Sequence, residues 1–118
     1  MPKILVIDDN RDTAESLAVL LTLAGHDARS VTSGYAAFTA LSEFTPEVCL
    51  VDIRMPGMNG YEVAARLRAI FGPGVRLLAL TGELGAERDP RATVFEQVFA
   101  KPPDLGELFG AVAAASVS

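Results

Sequence analysis

The chain has 118 residues, 50% of them hydrophobic, one cysteine and a formal net charge of -5 at pH 7. That size supports one domain with a sizeable core, and the acidic balance argues against nucleic-acid binding through a basic face. No apolar stretch is long enough for a spanning helix, the first residues lack a signal-peptide pattern, and the lone Cys49 excludes an intrachain disulfide and fits a reducing compartment, so a cytoplasmic domain with no membrane contact is expected.

In chain order, Lys3–Ile7 reads as a buried strand, since its apolar run does not alternate. It delivers Asp8 and Asp9 at its carboxyl end. Asn10 or Asp9 can cap the next helix, whose inner side is expected to carry Ala14, Leu17, Leu20, Leu21 and Ala24. Gly25 stops that helix. Asp27–Thr32 is polar and weakly patterned, which suits an edge strand. Ser33 and Gly34 lead into a helix with Ala37, Phe38 and Leu41, and Pro46 ends that segment.

Val48–Val51 is the second unbroken apolar run, and Asp52 follows it. Pro56 and Gly57 make a stiff turn, after which Asn59 can cap a third helix. Tyr61, Val63, Ala64, Leu67, Ile70 and Phe71 supply its apolar side, with Arg66 and Arg68 facing water, and Gly72–Gly74 ends it. Val75–Leu80 reads as a fourth strand presenting Thr81. The stretch 82–93 holds Gly82, Gly85 and Pro90, so a short turn near Asp89 is expected instead of a full helix. Val94–Ala100 is expected to form a fifth strand, followed by Lys101, Pro102 and Pro103. Asp104 can cap a last helix with Leu105, Leu108, Phe109 and Val112 turned inward.

Strand and helix thus alternate five times, with the fourth helix degraded. The spacings suit parallel strands with right-handed crossovers, an α/β doubly wound sheet with helices on both faces. Asp8, Asp9, Asp52, Thr81 and Lys101 all fall at carboxyl ends of apolar runs, where such sheets place their ligands. If the first and third strands are neighbours, three carboxylates meet, which is unfavourable unless a cation joins them or some take protons. All-oxygen ligation fits Mg2+, whereas zinc or copper would want softer ligands, and His26 and Cys49 lie away from this group. A cation, an ammonium, a hydroxyl and a carboxylate nucleophile describe phosphoryl transfer to aspartate, giving an acyl phosphate on Asp52.

The segments ILVIDDN, LVDIRMPGMNGYEV, LLALTG and AKPPD are where the chain resembles the receiver domain of bacterial two-component response regulators, over essentially its whole length. The resemblance implies one receiver domain over residues 1–118, flavodoxin-like, with strand order 2-1-3-4-5. It implies Asp52 as phosphoacceptor, with Asp8, Asp9, Asp52 and the backbone carbonyl of Arg54 around Mg2+, or Mn2+ in its place. It further implies Thr81 as the switch hydroxyl, Lys101 as the phosphoryl-binding lysine, and a cis bond between Lys101 and Pro102. The phosphodonor would be a sensor histidine kinase or a histidine phosphotransfer protein, with small donors such as acetyl phosphate also used. The domain would later hydrolyse its own acyl phosphate. A homodimer through the face of the fourth helix, fifth strand and last helix is within the family's habits. The effector stays open, as does whether the receiver stands alone; the start at Met1 suggests that it begins its protein.

Three positions depart from the pattern. Val98 stands where the family often has an inward-swinging aromatic, and alternation turns its neighbour Phe99 to the opposite side, into the core. The irregular stretch 82–93 puts the usual output face in doubt. Arg54 and Glu83, two residues beyond Asp52 and Thr81, could pair across the pocket and restrict water, while Gly82 leaves the pocket open. The alternatives are a pseudo-receiver that binds partners without phosphate, or an aspartate-based phosphatase, for which the chain has no cap domain.

Overall fold

The computed structural model describes residues 2–83 and 85–114. Its five strands are β1 (Lys3–Ile7), β2 (Asp27–Val31), β3 (Val48–Asp52), β4 (Arg76–Thr81) and β5 (Gln97–Ala100). They form one parallel sheet in the order β2-β1-β3-β4-β5. The α-helices are α1 (Arg11–Leu23), α2 (Gly34–Ala40), α3 (Gly60–Phe71) and α4 (Leu105–Ala113). Between β4 and β5 stand two 3-10 turns, Ala86–Arg88 and Pro90–Val94, as the glycines and Pro90 led one to expect. Asp89 caps the second turn by accepting from Arg91 N, with Pro90 in the first position, where a missing N–H is harmless.

The unbroken apolar runs are explained by burial on both faces. Leu5, Ile7, Cys49, Val51, Leu77 and Ala79 pack toward α2, α3 and the 3-10 turns. Ile4, Val6, Val48, Leu50, Leu78 and Leu80 pack toward α1 and α4. Phe99 joins the second layer, while Val98 lies against the first. Side-chain caps start each α-helix: Asn10, Ser33, Asn59 and Asp104 accept from backbone N–H groups, and Asn59 with Glu62 makes a reciprocal capping box.

Several expectations fail at element ends. Ala24 is exposed and Leu20 only half-buried, because α1 closes before Gly25, whose φ of 100° turns the chain away. Ile70 and Leu105, expected inward, are 56% and 41% exposed, since they lie in the last turn of α3 and the first of α4, beyond their packed stripes. Arg68 is not simply wet: its guanidinium donates to the carbonyls of Gly72 and Val75 at 2.6 and 2.7 Å, closing the end of α3. The fifth strand starts at Gln97, because Val94 is drawn into the second 3-10 turn and Phe95 packs in the core.

Candidate functional site

Parallel register brings the functional side chains together. Asp52 ends β3 and Thr81 ends β4, while Asp8 and Lys101 follow the last residues of β1 and β5. The ladders continue past the strands: Asp8 N donates to Val31 O, Ile53 N to Leu80 O and Lys101 N to Thr81 O, at 3.1, 3.0 and 2.9 Å. These bonds fix the order of the carboxyl ends along one edge. Gly60 lets α3 begin directly against that edge, since a Cβ there would stand 2.5 Å from the carbonyl oxygen of Asp52. No side chain larger than hydrogen fits without moving the backbone that carries the carboxylate.

Carboxylate oxygens of Asp8, Asp9 and Asp52 lie within 4.8 Å of one another. Asp8 is fully buried and Asp52 is 4% exposed, whereas Asp9 faces solvent. Asp8 Oδ1 accepts from Asn10 N at 2.9 Å, and Asp52 Oδ1 from Arg54 N at 3.3 Å. Lys101 Nζ is 2.6 Å from Asp8 Oδ2 and 3.4 Å from Asp52 Oδ2. The Asp8 contact is an ion pair without hydrogen-bond angles, so that buried oxygen has no hydrogen-bond partner. Burial pushes the Asp52 carboxyl up to about 7, reinforced by the Asp8 charge and opposed by Lys101. Burial works against the Lys101 ammonium, but Asp8 and Asp52 outweigh it and raise its pKa above the ordinary lysine value.

Thr81 is buried, and its Oγ1 accepts from Glu83 N at 3.0 Å, which leaves the hydroxyl hydrogen free to donate. A Cβ on Gly82 would meet nothing within 4 Å, so space is open beside that hydroxyl. Arg54 Nε and Glu83 Oε1 pair at 3.1 Å, with both side chains substantially exposed. The Lys101–Pro102 peptide is cis. The buried Asp8 oxygen, which accepts no hydrogen bond, and the all-oxygen donor set fit a hard divalent cation of the Mg2+ kind.

One neighbouring feature was not anticipated. A cleft of about 480 Å3 opens between the loop after β3 and the 3-10 turns, walled by Arg54, Glu83, Tyr61, Asp89 and Arg91. The Arg91 guanidinium lies 4.2 Å from the centre of the Tyr61 ring and pairs with Asp89 at 2.8 Å. Only the Arg54–Glu83 side of this wall carries a sequence signal, its spacing from Asp52 and Thr81. The Arg91–Tyr61 contact joins residues far apart in the chain and had none.

A sheet of this order with acidic, hydroxyl and ammonium groups on one edge defines a class, and the family model for the response regulator receiver domain matches residues 4–113. The chain belongs to that family, the receiver domains of two-component response regulators. Among curated relatives it is 42% identical over 80 residues to the DNA-binding response regulator MtrA of Mycobacterium tuberculosis, covering 67% of this chain and 35% of the relative. Sporulation initiation phosphotransferase F of Bacillus subtilis is 29% identical over 112 residues, covering 93% of this chain and 90% of that protein. The chain thus spans about a third of the length of the MtrA relatives. The response regulator TrrA of Thermotoga maritima, solved in complex with Mg(2+)-BeF, superposes with a TM-score of 0.87 at 25% identity, covering 97% of this chain and 98% of TrrA. The strand order and the shortened fourth crossover expected from the sequence are both observed.

Proposed function

We propose that this receiver, read as a single unit over residues 1–118, accepts a phosphoryl group on Asp52 from a phosphohistidine partner. The observation that carries this reading is the Asp8–Asp9–Asp52 cluster with Lys101 in contact with two of its members. Asp52 Oδ attacks phosphorus, the P–N bond to the donor histidine breaks, and the electron pair leaves with the imidazole. Lys101 and the Thr81 hydroxyl are sited to bind phosphoryl oxygens as charge gathers on them. Asp8, Asp9, Asp52 and the Arg54 carbonyl would hold Mg2+, which neutralises that charge when bound; the same oxygens suit Mn2+ in its place. The charge added at Asp52 then draws Thr81 inward, and Glu83 N follows because it donates to that hydroxyl.

A groove of about 580 Å3 beside Lys101 supports docking of the donor, with Leu17, Pro102, Pro103 and Leu105 as its apolar lining. Exposed Val19 and Leu23 extend an apolar stripe along α1 away from that groove. This suits an amphipathic helical partner such as a histidine kinase or phosphotransfer protein. The Arg54–Glu83 pair is read as a restriction on attacking water, giving a long-lived acyl phosphate. Phosphoaspartate decay in wild type and in Arg54→Ala with Glu83→Ala checks this: faster decay in the double variant is expected, and equal decay contradicts it.

Beryllium fluoride with Mg2+ tests the switch against a phosphate-independent binding module. Amide shifts at Asp52, Thr81 and Glu83 that need both reagents support the switch; an unchanged spectrum supports the module.

A further inference from the structure

We infer that the cleft between the loop after β3 and the 3-10 turns is a receptor for an arginine side chain of a partner protein, and that this chain's own Arg91 occupies it in the partner's place. The Tyr61 ring is the centre of the site. Tyr61 lies in the first turn of α3, whose start is fixed by the Asn59–Glu62 capping box. Phe95 packs against the ring, tilted by 53° with centroids 6.1 Å apart. The ring is thus held in position before any partner arrives, which lowers the cost of binding to it. Glu83 and Asp89 stand in the same wall. Burial and then the Asp89 charge hold the Tyr61 phenol above its ordinary range, with Glu83 adding to them, so the ring is a neutral phenol. A fixed aromatic face beside carboxylates suits a guanidinium, which stacks on the one and forms charge-assisted hydrogen bonds to the other.

Arg91 displays that fit. Its guanidinium carbon stands 4.2 Å from the ring centre, and it donates to Asp89 through Nε at 3.1 Å and Nη2 at 2.8 Å. Its side chain is 60% exposed, and an exposed ion pair of this kind is held weakly, so an incoming guanidinium can exchange for it. The exchange leaves the core alone, because the crossover is anchored separately by buried Ala92 and Phe95. Arg54 holds Glu83 from the other rim at 3.1 Å, which makes Asp89 the carboxylate that a partner takes over. The formal net charge of -5 draws basic segments toward the chain, and arginine with tyrosine is a pairing on which interfaces concentrate their energy. The site also adjoins the phosphoryl pocket, since Glu83 N donates to Thr81 Oγ1.

The probe is N-acetyl-arginine amide, with the citrulline analogue as its uncharged counterpart, and binding is followed by nuclear magnetic resonance titration. Arg91→Ala vacates the ring and should bind the arginine probe about tenfold more tightly than wild type, with the largest shifts at Tyr61 and Asp89. Adding Tyr61→Leu to Arg91→Ala should abolish that gain, and the citrulline analogue should leave every spectrum unchanged. In wild type the Arg91 Hε and Cδ resonances should move toward unstacked positions as the arginine probe is raised, a readout independent of any variant's folding. Equal binding by wild type and Arg91→Ala, equal binding of the two probes, or wild-type Arg91 resonances unmoved by the arginine probe overturns the inference. None of these results depends on whether Asp52 accepts a phosphoryl group.

Discussion

Burial and the Asp8 charge both work against ionised Asp52, so its pKa in the fold, about 7, is raised above that of an unfolded aspartate. The protonated form therefore favours the folded state. That contribution is complete below the unfolded value near about 4 and is lost as the pH rises through the folded one. The metal-free chain should lose on the order of 4 kcal/mol of stability between about pH 4 and pH 8 from this group. Asp52→Asn should flatten that slope and stabilise the metal-free protein at pH 8, as urea unfolding at several pH values would show. An unchanged slope in Asp52→Asn means that the carboxylate is not under this strain. At Gly60 the constraint is steric. Gly60→Ala must displace the Asp52 carbonyl or the start of α3, and a loss of about 1–3 kcal/mol is expected by urea titration, with weakened Mg2+ binding beside it. Neither effect is readable from sequence alone. The strand-end position of Asp52 is plain in the apolar run before it, but its proton affinity depends on how close Asp8 and Lys101 come.

Among the elements, α4 is held at its carboxyl end by a residue from the start of β4. The Arg76 guanidinium donates to the carbonyls of Ala111, Val112 and Ala114 and grips both oxygens of Glu96. Carbonyls left over at the end of a helix are thereby satisfied by a cation, which the helix dipole also favours. Arg76→Ala should cost about 2 kcal/mol or more, because several partly buried groups lose their partner together. Unfolding free energies would check the size, and Glu96→Gln should give a smaller loss. The segment between β4 and β5 contrasts with α4. Its two 3-10 turns hold few repeating backbone bonds, although Arg91 on Tyr61 and Phe95 in the core pin it to α3. Amide exchange across residues 83–93 should be faster than in α1 and α3, and uniform strong protection there contradicts this. The lack of a full helix was legible from Gly82, Gly85 and Pro90. The way the turns attach to α3 was not, since cation–π and ring–ring contacts between distant residues leave no periodic trace.

For the molecule as a whole, the two unbroken apolar runs, the capping residues and the strand-end polar residues carried most of the fold and the membership of the cluster. They are local signals, and local signals survive in sequence. The failures lie at element boundaries, as at Ala24, Ile70, Leu105 and Val94, where tertiary packing decides whether one more residue is covered. The Arg54–Glu83 pairing could be posed from spacing and is met at 3.1 Å, whereas the closer approach of Lys101 to Asp8 than to Asp52 depends on tertiary geometry and leaves no trace in the sequence. The fold's contribution to function is to collect, at one edge, charges that would separate if free, and to keep them ready for a cation and a phosphoryl group. The most direct test is the intact mass of the chain after incubation with acetyl phosphate and Mg2+, with Asp52→Asn in parallel. The account predicts a gain of one phosphoryl group on the wild type, dependent on Mg2+ and absent from the variant. No gain on the wild type, or an equal gain on Asp52→Asn, would contradict it.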